Sequence, residues 1–263
     1  MKAKWSMRAI AGGYLAIVLV APLAVVFWSA FRHGLGPFWD AITSPDAIAA
    51  LKLTLITAAI AVPANTIFGL LAAHVLVRRR FAGRRAFSAL IDLPLALSPV
   101  VVGLALVLVW GRDGWFGPWT IDHGVTVIFA TPGIVLATIV VSLPFVTREL
   151  VPVLRELGVE QQEAAATLGA GPLQILWRIT LPAVRYGLIY GVVLTTARVI
   201  GEFGAVAVVS GNIAGQSQTM TLYVQNQYQQ FNLTGAYSAS VLLAGIAIVT
   251  VVALRLVNRR GAK

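Results

Sequence analysis

Two stretches of this chain, residues 9–30 and 125–147, run past twenty residues without a single charged side chain. Four more, near 51–77, 87–110, 184–209 and 236–256, are almost as apolar. A hydrocarbon core roughly 30 Å thick is crossed by about 20 helical residues, so the pattern predicts six membrane spans. Lipid offers no water to a backbone N–H or C=O, which leaves helices or a closed barrel. A barrel wall alternates apolar with polar residues, and Val100-Val101-Val102-Gly103-Leu104-Ala105-Leu106 does not. The expected fold class is an all-α membrane protein with six transmembrane helices. Pro22, Pro63, Pro99 and Pro132 fall in or beside spans, where each frees backbone groups and kinks its helix.

Composition agrees with lipid as the solvent: 58% of residues are hydrophobic and 11% charged, against roughly 45–50% and about 25% in soluble domains. No cysteine is present, which excludes disulfides, thiolate metal sites and cysteine nucleophiles. A net charge of +10 raises nucleic acid as a partner, but the placement of the charge argues for a membrane instead. Segments 1–8, 78–85, 148–185 and 255–263 hold 3, 5, 4 and 4 basic residues, sixteen of the twenty. The alternating segments 31–50, 111–124 and 210–235 hold only Arg32 and Arg112. By the positive-inside rule the first set is cytoplasmic, both termini included, with anionic lipid head groups as neighbours and no nucleic acid. Trp28, Trp39, Trp110, Trp115 and Trp119 gather toward the other side, as interfacial rings do. Lys2, Lys4 and Arg8 before an apolar run resemble a signal peptide, but the run is too long and lacks a clear cleavage site, so a retained helix is expected.

The longest basic segment, 148–185, mixes acids, bases and helix formers. The run from Glu160 through Leu168 predicts a short helix with acids at its favoured end, stopped by Gly169-Ala170-Gly171-Pro172. Leu173, Ile175, Leu176 and Ile179 predict a second short helix, with Leu181-Pro182 leading into the next span. Small alanine side chains permit close approach of a partner's groove; an ordinary amphipathic loop helix explains the same residues.

Glu163-Ala164-Ala165, then Gly169, then Ile179, Leu181 and Pro182 resemble, in type and spacing, the EAA loop of permease subunits of binding-protein-dependent ABC importers. The resemblance implies the type I importer permease fold with cytoplasmic coupling helices, as one domain over residues 1–263. It also implies that Glu163, Ala164, Ala165 and Gly169 couple to a separate ATPase. Ile91-Asp92-Leu93-Pro94, Ser98-Pro99-Val100-Val101-Val102-Gly103, Leu143-Pro144-Phe145-Val146-Thr147-Arg148-Glu149 and Gly201-Glu202-Phe203-Gly204-Ala205 look like sulfate/thiosulfate importer permeases. Molybdate/tungstate permeases share part of this pattern. Val208-Val209-Ser210-Gly211-Asn212-Ile213, followed by Gln218-Thr219-Met220-Thr221-Leu222, looks like the sulfate branch and its second permease type. By resemblance the partners are two ATPase subunits, a second related permease and an external sulfate-binding protein, and the site of action is a bacterial inner membrane.

Arg198 and Glu202 lie four residues apart, on one face of the fifth span. An intramembrane charge costs at least about 2.5–3.5 kcal/mol, so such residues face a bundle interior or a wet path. Two readings stand: an ion pair that orders the bundle, or a lining of the anion path. Ser98, Ser210 and Thr219 are neutral donors for a passing oxyanion, or local caps.

The missing motifs narrow the function further. No G-x-x-x-x-G-K-[ST] occurs, so ATP and Mg belong to partner subunits and this chain needs no cofactor of its own. His33, His74 and His123 lie in separate segments without H-E-x-x-H spacing, and no histidine follows Ser210, so neither metal nor catalytic residues are expected. An ATP-independent secondary anion transporter is the competing class. Such carriers show broken helices in two corresponding halves, which this sequence does not clearly show.

Overall fold

The computed structural model describes residues 12–14 and 16–261. The start of the predicted first span, with Lys2, Lys4 and Arg8, lies outside them. Helix α1 is Gly12–Phe31, α2 Leu35–Ile42, α3 Pro45–Arg78, α4 Arg84–Ala96, α5 Pro99–Trp110 and α6 Gly117–Asp122. They are followed by α7 Thr131–Ser142, α8 Pro144–Glu156, α9 Glu160–Thr167, α10 Pro172–Ile200, α11 Gly204–Val209, α12 Met220–Gln229 and α13 Leu233–Gly261. No β-strand occurs among the described residues. Helices α1, α3, α7 continued by α8, α10 and the first part of α13 are each long and apolar enough to cross a membrane.

The central helix is α3. Ser44 opens it by accepting the Ala47 amide at 3.3 Å, and Pro45 takes the first turn, where no amide is needed. Its crossing with α8 is close because Gly69 has no side chain: a Cβ there would sit 2.6 Å from Val146 Cβ. Small residues at such crossings let backbones approach where lipid supplies no hydrophobic drive between helices. Asn65, fully buried in α3, donates to Ser142 Oγ at 2.7 Å and to the Ile139 carbonyl at 3.2 Å, tying α3 to α7.

The expected third span, 87–110, is not one helix. It is α4 and α5, bent by 111° at Leu97-Ser98. Proline disfavours the helical conformation in the residue before it, and Ser98 is extended (φ −62°, ψ 137°) with Pro99 beginning the next helix. The redirected α5 packs between α7 and α11, where Val102, Ile134, Ala137, Ala205, Val206 and Val209 form one buried cluster. Gly103 makes that fit possible, since a Cβ on it would lie 2.9 Å from both Val208 Cβ and the Ala205 carbonyl.

The fifth span also differs from expectation. It begins at Pro172 rather than near 184 and ends at Ile200, with 204–209 turned off as the separate helix α11. The second short helix expected near 173–179 is therefore the first part of α10. A π-helical turn, Leu176–Thr180, in which the Leu181 amide reaches back to the Leu176 carbonyl, carries the chain past Pro182. Helix α8 likewise continues to Glu156, past the expected end at 147, because Val146, Leu150 and Leu154 are fully buried against Ala73 and Val184 while Arg148, Arg155 and Glu156 are exposed. Two of the expected spans are thus broken, at α4–α5, where Pro99 predicts only a kink, and at α10–α11.

Candidate functional site

Segments 78–85 and 148–185 meet at one end of the bundle. Arg84 and Arg85 line the same cleft as Arg148 and Arg155, and Arg78 lies beside Gly158 and Gln162. From this end projects α9, the expected short helix, found at Glu160–Thr167 with none of its residues buried. Glu160 and Glu163 occupy its first turn, where free amides favour negative charge. Glu163, Ala164 and Ala165 therefore stand on a helix that the rest of the chain leaves largely uncovered.

The helix ends by a Schellman motif. The Ala170 amide donates to the Ala165 carbonyl at 3.0 Å and the Gly169 amide to Ala166 at 3.0 Å. Gly169 has φ +85°, and a Cβ on it would meet nothing within 4 Å. Glycine is needed there for its backbone conformation rather than for space. Gln162 Nε2 donates to Thr180 Oγ1 at 3.0 Å, bracing α9 against the π-turn of α10.

Around α9 the structure exposes large apolar side chains: Leu168 is 88% exposed, Leu173 71% and Trp177 65%. Leu173 was legible as part of an apolar face; Leu168 and Trp177 were not singled out. An apolar residue beside a helix stop is a weak sequence signal, and only the fold reveals that it faces outward. These exposed apolar side chains follow the end of α9 and suit an apolar groove in another protein.

The second constellation lies where α10 ends. Arg198 is in the last turn of α10, and its Nη1 stands 2.7 Å from Glu202 Oε2. A cation in the last turn complements the helix dipole as well as the carboxylate. Glu202 is outside the helix: its Oε1 accepts the Ala205 amide at 3.0 Å, which caps α11, and its carbonyl accepts Thr221 Oγ1 at 2.8 Å. Thr219 Oγ1 is 3.1 Å from Thr221 Oγ1, so Thr219 joins this network. Ser210, fully buried at the far end of α11, accepts the Asn212 amide, while Asn212 takes a hydrogen bond from Gln218. Ser98 is exposed at the α4–α5 bend, next to Pro99, against which a Cβ on Gly204 would press at 3.0 Å. The structure thus groups Arg198, Glu202 and Thr219 and holds Ser210 in an adjoining loop; no hydrogen bond joins Ser98 to them.

Among the described residues no three metal-ligating side chains converge. The histidines make only local contacts where any is seen: Arg32 Nε with His33 Nε2 at 3.2 Å, and His123 Nδ1 with the Trp119 carbonyl at 2.8 Å.

Comparison with known proteins adds four findings. Residues 65–262 match the family described as "Binding-protein-dependent transport system inner membrane component". The chain is 49% identical, over 98% of its length and 94% of the relative's, to the sulfate transport system permease protein CysW of Synechocystis sp.. It is 39% identical, over 88% of its length and 84% of the relative's, to the sulfate transport system permease protein CysT of Escherichia coli K12. Among solved structures, a bacterial ABC transporter involved in the import of the acidic polysaccharide alginate superimposes with a TM-score of 0.81 at 19% identity, covering 100% of this chain and 98% of the other, which speaks to the fold alone.

Proposed function

We propose that this chain, which belongs to the inner membrane components of binding-protein-dependent transport systems, is a permease subunit of an ABC importer that moves sulfate into the cytoplasm. The observation that carries the transport mechanism is α9, an uncovered helix held at one end of the bundle by the Gly169 stop and the Gln162–Thr180 brace. The substrate rests on the relatives, since two distinct classes of sulfate permease align over most of the chain. Greater identity to the CysW relative supports the second permease type, with a CysT-like chain as partner.

On this reading residues 1–263 are one transmembrane domain, and segments 78–85 and 148–185 with both termini face the cytoplasm. Two ATPase subunits bind ATP and Mg, and each permease receives one of them at its α9. Here Glu163, Ala164 and Ala165 enter the ATPase groove, with Leu168 and Trp177 as apolar anchors. ATPase closure pushes α9, and the brace to Thr180 passes that motion into α10, whose far end carries Arg198, paired with Glu202 just beyond the helix. Alternating access then moves sulfate, and thiosulfate as its near isostere, delivered by an external binding protein. Glu202 serves as the structural hub, because it joins α10, α11 and the start of α12. Arg198, one-third exposed, offers a cation to the passing dianion, with Ser98, Ser210 and Thr219 as neutral groups along the way. Conduction requires such contacts to stay weak. The chain itself catalyses nothing.

The experiment is ATP-dependent uptake of labelled sulfate into proteoliposomes holding the four kinds of subunit, with thiosulfate and molybdate as competitors. Uptake blocked by thiosulfate and little affected by molybdate is the expected result. Transport of molybdate alone would keep the architecture and overturn the substrate. Sulfate movement without ATP would return the secondary carrier.

A further inference from the structure

A cleft of about 430 Å³ lies between the end of α3, the start of α4 and the stretch of α8 from Thr147 to Arg155. Its walls carry four arginines, Arg84, Arg85, Arg148 and Arg155, and one carboxylate, Asp92. Arg148 Nε donates to Asp92 Oδ1 at 2.8 Å, which accounts for that carboxylate. Arg84, Arg85 and Arg155 have no ion pair or hydrogen bond to any described residue, so the cleft keeps a charge of about three positive units. Three guanidinium groups around one space raise the local positive potential and favour an anion among them.

The floor of the same cleft is apolar, formed by Leu76, Ile91 and Val151. It is continuous with the buried contact of Leu76 and Ile91 with Phe68, Phe87 and Val151 on the sides of the spans. A free inorganic oxyanion gains nothing from such a floor. A phospholipid does, because its phosphate meets the guanidinium groups while the start of its acyl chain lies on the apolar surface. Basic pockets between spans at the cytoplasmic side are where anionic head groups bind, and Arg binds phosphate with paired, directed hydrogen bonds.

We infer that this cleft holds the head group of an anionic phospholipid, with Arg84, Arg85 and Arg155 on its phosphate and Leu76, Ile91 and Val151 under its glycerol and upper acyl chain. The lipid bridges α4 to α8. It thereby adds to the hold on the short, bent arm α4, whose contacts with the bundle include Ile91, Phe87 and the Asp92–Arg148 ion pair. This assignment is independent of which anion the transporter carries.

The test uses the assembled importer in nanodiscs of phosphatidylcholine with one-fifth phosphatidylglycerol, released into detergent and weighed by native mass spectrometry. Phosphatidylglycerol should be retained over phosphatidylcholine of equal chain length. Arg85→Gln, at an exposed position without an ion pair to any described residue, should lower that retention about fivefold, and Arg84→Gln with Arg85→Gln and Arg155→Gln should abolish it. Arg85→Lys should restore part of it. Equal retention of both lipids, or retention unchanged in Arg85→Gln and in the triple variant, overturns the inference. So does full displacement of the lipid by a few millimolar sodium sulfate or phosphate, which would make the cleft a simple oxyanion site.

Discussion

Arg198 Nη1 lies 2.7 Å from Glu202 Oε2, yet the two residues carry unequal duties. The Arg198 side chain is 32% exposed and makes this one contact, whereas Glu202 is 3% exposed and also caps α11 through the Ala205 amide. Glu202→Ala removes the α11 cap together with the ion pair, whereas Arg198→Gln keeps a hydrogen-bond donor beside the buried carboxylate. Glu202→Ala should therefore prevent assembly of the complex, seen as loss of the monodisperse peak in size exclusion. Arg198→Gln should assemble normally and transport sulfate at a reduced rate. Equal loss of assembly in both variants would make the pair purely structural.

Gly169 separates coupling from folding. Its φ of +85° costs a residue with a side chain about 1–2 kcal/mol. Gly169→Val should insert and assemble, since nothing crowds the position, but hydrolyse ATP with little sulfate uptake. Gly169→Asn, which tolerates that conformation better, should recover part of the uptake. A wild-type ratio of transport to hydrolysis in the valine variant would remove α9 from the coupling route.

The exposed apolar side chains after α9 make a different prediction. Truncating an interface anchor commonly costs 2 kcal/mol or more, about thirtyfold in affinity. Leu168→Ser together with Trp177→Ala should release the ATPase during purification while the permease remains stable. Retention of the ATPase by this double variant would locate its docking surface elsewhere.

At the crossing of α3 and α8 the prediction concerns packing. Gly69→Val would drive a side chain into Val146, and overpacking of this kind costs about 1–3 kcal/mol. The melting temperature of the solubilised complex should fall. Gly69→Ala should cost less and be partly rescued by Val146→Ala. Additive effects of the last two substitutions would show that the contact does not limit stability.

That the chain is helical and membrane-spanning is legible in its residues alone, because transfer of side chains to lipid is a sum over local residues. So is the position of α9, since Glu160, Glu163 and Gly169 act through local rules for helix starts and stops. The spacing of Arg198 and Glu202 announced their contact for the same reason. The extension of α8 was hidden by Arg148, Glu149, Arg155 and Glu156, which lower local hydropathy although Leu150 and Leu154 between them are fully buried. Pro99 marked a break, but its 111° direction was settled by the fit of Gly103 against Ala205 and Val208. That Glu202 leaves α10 to cap α11, that Trp177 faces outward and that four arginines share one cleft were decided by tertiary structure alone. Each depends on groups far apart in the chain, and no local sum over residues contains the distance between them.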